Sequence, residues 1–185
     1  KRHYTNRRYL DALERRVLIF DGAMGTSLQK MELSAKHFGG ERTNGCNDYL
    51  VITYPEAVEQ VHRSFLEAGV DAIETDTFRA NRITLAEYGL EERVLEINRA
   101  AAQLARRLAD EYSTPDRPRF VAGSMGPSGK LPSMDDGGWA SLKLLKFNAG
   151  GLLEVCLGAR GVGYFLGDIA DGAGAIEVHR VVLVA

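Results

Sequence analysis

Three short apolar runs constrain this chain most, because each ends in acids, hydroxyls or glycine and amphipathic helical segments separate them. The first, Val17–Phe20, reads as a buried strand that delivers Asp21 to a glycine turn, Asp21-Gly22-Ala23-Met24-Gly25-Thr26. The second, Val70–Thr77, runs into Glu74, Thr75, Asp76 and Thr77. The third, Arg119–Gly123, leads into the loop Ser124-Met125-Gly126-Pro127-Ser128-Gly129. Strands that alternate with helices build a parallel sheet covered by those helices. Parallel strands bring their carboxyl ends to one face, where α/β folds bind ligands. Asp21, Glu74, Asp76 and the Gly123–Pro127 loop are therefore expected on a shared rim.

The intervening segments carry helical signals. Thr5 is placed to cap a helix through about Arg16, with Tyr9, Leu10 and Leu13 on one face. Gly22 to Asp48 has little periodicity and two turn pairs, Gly39-Gly40 and Asn44-Gly45, so it reads mostly as loop. A loop of that length is usually functional or partly helical. Thr53 and Pro55 open a helix that carries Val58, Val61, Phe65 and Ala68 and stops at Gly69. Asn81 is placed to cap a short helix through Tyr88, and Gly89 breaks it. Glu91–Tyr112 is the strongest helix, with Val94, Ile97, Ala101, Leu104 and Leu108 on one face. After Asp136 the character changes: ten of the 20 glycines fall in the final quarter, so residues 137–185 form a divergent segment. Within it, Leu152–Leu157 and Ile176–Val184 read as strands, and Gly161–Gly174 carries no clear signal.

Composition narrows the classes. A net charge of −2 gives no basic field for nucleic acid, and no apolar segment reaches the length of a membrane span. Two cysteines, Cys46 and Cys156, make no disulfide framework, so a reducing cytoplasm is expected. No local metal-ligand spacing joins them to His3, His37, His62 or His179. His62 and His179 read as surface or packing histidines, and Cys46 as a small buried side chain in a loop.

Two roles suit Asp21 at a strand end: accepting hydrogen bonds from a ligand ammonium, or bonding nearby amides to tighten the turn. Glu74 and Asp76 lie two apart and share one side of a strand, with Thr75 and Thr77 on the other. Either pair is free to face a barrel lumen. Paired acids suit a metal, an amine or acid–base work. Gly25-Thr26 and Gly123–Gly129 offer backbone amides to an anion such as a carboxylate. They match neither a phosphate loop nor a dinucleotide fingerprint.

Four motifs occur in order: Asp21-Gly22-Ala23-Met24-Gly25-Thr26, Gly45-Cys46-Asn47-Asp48, Glu74-Thr75-Asp76-Thr77-Phe78 and Val121-Ala122-Gly123-Ser124-Met125-Gly126-Pro127. Together, across about Arg16 to Ser133, they resemble the homocysteine-binding domain of the cobalamin-dependent methionine synthases, within the homocysteine S-methyltransferase family. The resemblance implies a (β/α)8 TIM barrel of which only the N-terminal part is present. Residues 1–16 would be an N-terminal basic helix, 17–136 the N-terminal part of the barrel, and 137–185 a divergent or incomplete tail. It implies homocysteine held by Asp21, Gly22, Ala23, Met24, Gly25 and Thr26, with Glu74, Thr75 and Thr77. It also implies a zinc ion that holds the thiol as thiolate. The methyl donor would be methylcobalamin on another domain, recharged from a methyltetrahydrofolate-binding domain.

The family's zinc ligands are three cysteines, two of them adjacent, and this chain has no such pair. Cys46 matches a non-ligand position and Cys156 no ligand motif. The expectation is therefore a truncated, inactive form of a methionine synthase-type methyltransferase, with no metal or cofactor bound by this chain alone. The alternative is a non-catalytic small-molecule-binding or interaction protein derived from the same barrel. Open sheet edges would favour self-association.

Overall fold

The computed structural model describes residues 8–126 with their side chains and, beyond them, only the backbone of four strands. The helices are α1 (Arg8–Arg15), α2 (Met24–Gln29), α3 (Leu50–Thr53), α4 (Pro55–Ala68), α5 (Arg82–Leu85) and α6 (Val94–Glu111). The strands are β1 (Ala72–Glu74), β2 (Phe120–Met125), β3 (Lys146–Asn148), β4 (Leu152–Glu154), β5 (Val162–Ile169) and β6 (Ile176–Val184). Short 3-10 turns cover Glu41–Thr43, Asn47–Tyr49, Ala86–Tyr88 and Glu91–Arg93.

The expected parallel alternation is present. Phe20 bridges Ala72 in parallel, and β1 pairs β2 in parallel with Ile73 opposite Val121. Ile73 and Val121 turn toward the helices and join a core with Val58, Val61 and Leu66 of α4 and Ile97, Leu104 and Leu108 of α6. Each such side chain, fully buried, stabilises the fold by about 1.5–3 kcal/mol. Ala72 and Glu74 alternate to the opposite face. At the start of β2, Phe120 meets Tyr9 of α1 edge-on, with ring centroids 5.2 Å apart.

Local signals explain the helix boundaries. Pro55 occupies the first turn of α4, and Gly69 ends it at φ 95°. Asn81 caps α5 by accepting from the amides of Ile83 and Thr84, at 3.1 Å each. Thr53 does not cap α4. It ends α3, and its hydroxyl donates to the Tyr49 carbonyl at 3.2 Å, the back-bond that threonine makes inside a helix.

The reading of the first strand needs correction. Val17–Phe20 is not a buried strand, for Val17 is 82% and Ile19 57% exposed. Only one flank of this segment is paired: the Ile19 carbonyl accepts from the amides of Asp71 and Ala72, and the Asp21 amide donates to the Ala72 carbonyl. Burial on both faces needs layers that the described residues do not supply. Residues 22–48 are mostly loop, as expected, and partly helical through α2 and the 3-10 turns.

The final segment departs from barrel order. β5 pairs antiparallel with β2, and β6 antiparallel with β5, giving a sheet ordered β1-β2-β5-β6. β3 and β4 form a separate antiparallel pair. Strands do occur at Leu152–Glu154 and Ile176–Val184, and β5 occupies the stretch with no clear signal. The described residues form an α/β fold whose sheet is open and mixed, so a closed eight-stranded barrel is not among them. The start of the first helix at Thr5, the Pro127–Gly129 loop, and the side chains of Cys156 and His179 lie outside what is described.

At the amino ends of the parallel strands sits Asp71, which is 1% exposed. Its Oδ2 accepts from Arg16 Nη1 at 2.7 Å and from the Ile19 amide at 3.0 Å. Its Oδ1 faces Arg119 Nη1 at 3.3 Å and Arg117 Nε at 3.4 Å. Burial works to raise this carboxyl, but the hydrogen bonds from Arg16 and Ile19 and the surrounding arginine charge outweigh it and hold it at about 2.

Candidate functional site

The carboxyl ends of the parallel strands surround a pocket of about 390 Å³. The first motif supplies one wall with Asp21 through Gly25, and β1 and its exit supply Glu74, Thr75 and Asp76. Cys46, Asn47 and Asp48 come from the turn before α3, and Ser124 comes from β2. Phe78, Arg79 and Tyr88 complete the lining. The shared rim expected from topology is therefore present, and it joins residues more than a hundred positions apart.

Asp21 is anchored by the neighbouring strand, β1. Its Oδ1 accepts from the Glu74 amide at 2.9 Å, which ties the first segment to the end of β1. Burial pushes the Asp21 carboxyl up to about 7; the Glu74 amide opposes this, and the Glu74 charge adds to it. Of the two roles weighed for Asp21, the bond to a nearby amide is present, and the side chain also lines the pocket. A Cβ placed on Gly22 would meet nothing within 4 Å, so there is open space beside this backbone. Ala23 has φ 42°, a left-handed conformation that costs a non-glycine residue about 1–2 kcal/mol and starts α2 beside the pocket.

Beyond Glu74 the strand alternation breaks down. The Thr77 amide turns back to the Thr75 carbonyl at 2.9 Å, so Glu74, Thr75 and Asp76 all reach the pocket. Thr75 Oγ1 accepts from the Ser124 amide at 3.0 Å, and Glu74 Oε2 accepts from Ser124 Oγ at 3.2 Å. Thr77 Oγ1 donates to the Ser124 carbonyl at 2.7 Å and lies beneath the pocket rather than in its lining. Thr26, within α2, is likewise outside the lining. Gly126 fits under the Phe78 ring, where any Cβ would approach ring carbons to about 2.6 Å.

Among the described residues, four carboxyl groups face this space against one arginine. Asp48 Oδ1 accepts from the Arg79 amide at 2.8 Å. Burial raises the Asp48 carboxyl, while the Arg79 amide opposes the shift. Asp76 is deeper, and its Oδ2 is buried without a hydrogen-bond partner. Burial first, then the charge of Asp48, keeps it well above the ordinary carboxylate range. Burial raises Glu74 as well. Arg79 directs its guanidinium to Glu87 at 2.7 Å, so it neutralises the pocket only in part.

Cys46 is buried, and burial followed by the charge of Asp48 pushes its thiol up to about 12. With no metal beside it, it stays a thiol at neutral pH. Among the described residues, no group of three His, Cys, Asp or Glu side chains is placed to hold a metal ion. The residues described do not fit a zinc site that would activate a thiol.

Sequence reasoning left Asp48, Arg79, Tyr88 and His62 outside the candidate set. Asp48 was within reach, because it closes the Gly45-Cys46-Asn47-Asp48 motif. His62 had only its helical position, which puts it in the core of α4 and says nothing about Asp21.

In α/β proteins, pockets at the carboxyl ends of parallel strands are where small molecules commonly bind. Comparison with known proteins makes this specific. The sequence profile described as homocysteine S-methyltransferase matches residues 18–149. The chain is 44% identical over 133 residues to methionine synthase of Mycobacterium tuberculosis, covering 72% of this chain and 11% of that protein. It is 42% identical over 132 residues to methionine synthase of Mycobacterium leprae, covering 71% and 11%. Its fold is similar to the homocysteine methyltransferase MmuM from Escherichia coli in the oxidized form. There the TM-score is 0.55 at 25% identity, covering 67% of this chain and 42% of that one. The metallated form gives a TM-score of 0.53 at 24% identity, covering 64% and 41%. The chain belongs to the homocysteine S-methyltransferase family. It spans about a tenth of the length of the methionine synthases it matches.

Proposed function

We propose that the pocket holds the amino-acid end of homocysteine, as the N-terminal part of a barrel that serves methyl transfer to the homocysteine thiol. The observation that carries this reading is the buried Asp21 carboxyl, raised to about 7 in a pocket whose other charged groups are mostly acidic. A ligand ammonium beside Asp21 supplies the missing counter-charge and favours the carboxylate form. Glu74 gives that ammonium a second acceptor. The open backbone at Gly22 and the amides through Gly25 suit the ligand carboxylate. Thr75 and Thr77 brace the end of β1 through Ser124, and Thr26 belongs to the helix behind the turn.

In this reading residues 1–16 are a basic helix, 17–136 the N-terminal part of the barrel, and 137–185 a divergent tail. In the whole enzyme zinc would activate the thiol, and methylcobalamin, recharged from methyltetrahydrofolate on other domains, would supply the methyl group. The residues described here bind and orient the substrate. The alternative reading is a non-catalytic binding module derived from the same barrel. The cysteine usage suits a reducing cytoplasm. Among the described residues no helix is long and apolar enough to cross a membrane.

Calorimetric titration with L-homocysteine, with and without zinc, tests the proposal. Binding is expected for the wild-type chain, weakened at least tenfold in Asp21→Asn. Affinity indifferent to zinc supports the binding-module reading, and affinity that rises with zinc supports the catalytic one. No binding at millimolar ligand, or equal binding by Asp21→Asn, would overturn the assignment of Asp21.

A further inference from the structure

His62 lies on α4 behind the first strand, is fully buried, and has neither ring nitrogen in a hydrogen bond. Buried polar atoms are nearly always paired, because an unpaired one forfeits its hydration with nothing in return. The ring is not simply apolar filling, because its Nδ1 stands 4.0 Å from Asp21 Oδ2. That is the oxygen left over when Asp21 Oδ1 takes the Glu74 amide. The separation exceeds a hydrogen bond by about 1 Å, which a small tilt of the ring or the carboxylate closes. Burial lowers the His62 ring to about 4, so at neutral pH it carries one proton, and the pair is not an ion pair. Among the described residues, Glu74 on β1 is the charged group acting on Asp21, and Asp48, Asp76 and Arg79 are the other charged groups lining the pocket.

We propose that His62 is a positioning residue for Asp21: its Nδ1–H donates to Asp21 Oδ2 and holds the carboxylate aimed into the pocket for a ligand ammonium. The proposal rests on the reading of Asp21 as the amine acceptor. Asp21 is then held from both sides, by the Glu74 amide at one oxygen and the imidazole at the other. An aspartate fixed at both oxygens presents its remaining lone pairs in one direction, which favours a primary ammonium over a flexible or bulky cation. The role is specific to one tautomer, with the proton on Nδ1 and Nε2 bare.

Nitrogen-15 NMR of the wild-type chain reads that tautomer directly. A neutral ring protonated at Nδ1 is expected, and a proton on Nε2 would overturn the proposal. Carboxyl carbon-13 titration of Asp21 gives the second readout. In His62→Leu the midpoint should rise by about one unit, a tenfold weaker hold on the carboxylate, and His62→Asn, whose amide stands near the Nδ1 position, should restore it. A midpoint unmoved in His62→Leu, or one moved equally in both variants with the fold intact by circular dichroism, would refute the positioning role. These readouts use no ligand. If homocysteine ignores Asp21→Asn, the substrate reading fails while the tautomer and the titration still decide the role of His62.

Discussion

The Asp21 carboxyl should make the free chain less stable as pH rises through the neutral range. Its midpoint moves from the ordinary 3.8 to about 7 on folding. Between these values the folded chain binds more protons at this site than the unfolded chain does. Stability therefore falls as pH rises from about 4 to about 7, and the penalty is complete above 7. Roughly three units at about 1.4 kcal/mol each gives an upper figure of roughly 4 kcal/mol. Asp21→Asn removes the ionisation and keeps an oxygen to accept the Glu74 amide. The variant should match the wild type near pH 4 and exceed it by about 2–4 kcal/mol at pH 8. Urea unfolding of both proteins across pH 4 to 9, compared as a difference, isolates the site from every other titration. A difference that stays flat across that range, or that favours the wild type at pH 8, would refute the reasoning. The expected gain in stability and the expected loss of homocysteine affinity come from one group, as in other sites where function is bought with stability.

Asp71 should behave in the opposite sense. Its midpoint is lowered from 3.8 to about 2, so its contribution is present above about pH 4 and is lost as pH falls toward 2. Asp71→Asn leaves three arginines without their carboxylate and should cost about 2–4 kcal/mol at pH 7, measured by urea unfolding; a loss under 0.5 kcal/mol would contradict it. The exposed edge at Val17 and Ile19 should drive self-association, seen as concentration-dependent sedimentation. Ile19→Lys should shift the distribution toward monomer, and an unchanged distribution would point to another surface.

The helices were readable where the signals are local. Asn81 caps α5 through its own side chain, Gly69 ends α4 with a left-handed turn, and the apolar stripe of α6 needs only its period. The parallel order of the three strand segments followed from their alternation with helices. The exposure of Val17 and Ile19 was not readable, because a strand's burial depends on neighbours elsewhere in the chain. The same holds for the pocket. Asp21 and Glu74 were visible as strand-end acids, whereas Asp48 and His62 reach the site only through the packing of α3 and α4. The exit of β1 misled in a different way. A regular strand would put Glu74 and Thr75 on opposite faces, but the tight turn between Thr75 and Thr77 aims both at the pocket.

The cluster around Asp71 also solves a problem of choice between alignments. β1 spans only three residues, too few for an apolar pattern to distinguish one strand pairing from its neighbour. A slip of one residue would carry a partner segment about 3.3 Å along the strand and turn its side chains over. Arg119 would then leave Asp71, or the Ile19 amide would, and a buried carboxylate would lose donors it needs. One aspartate thus penalises the wrong alignments of two neighbouring segments at once, and lets a very short strand adopt a single pairing on each side.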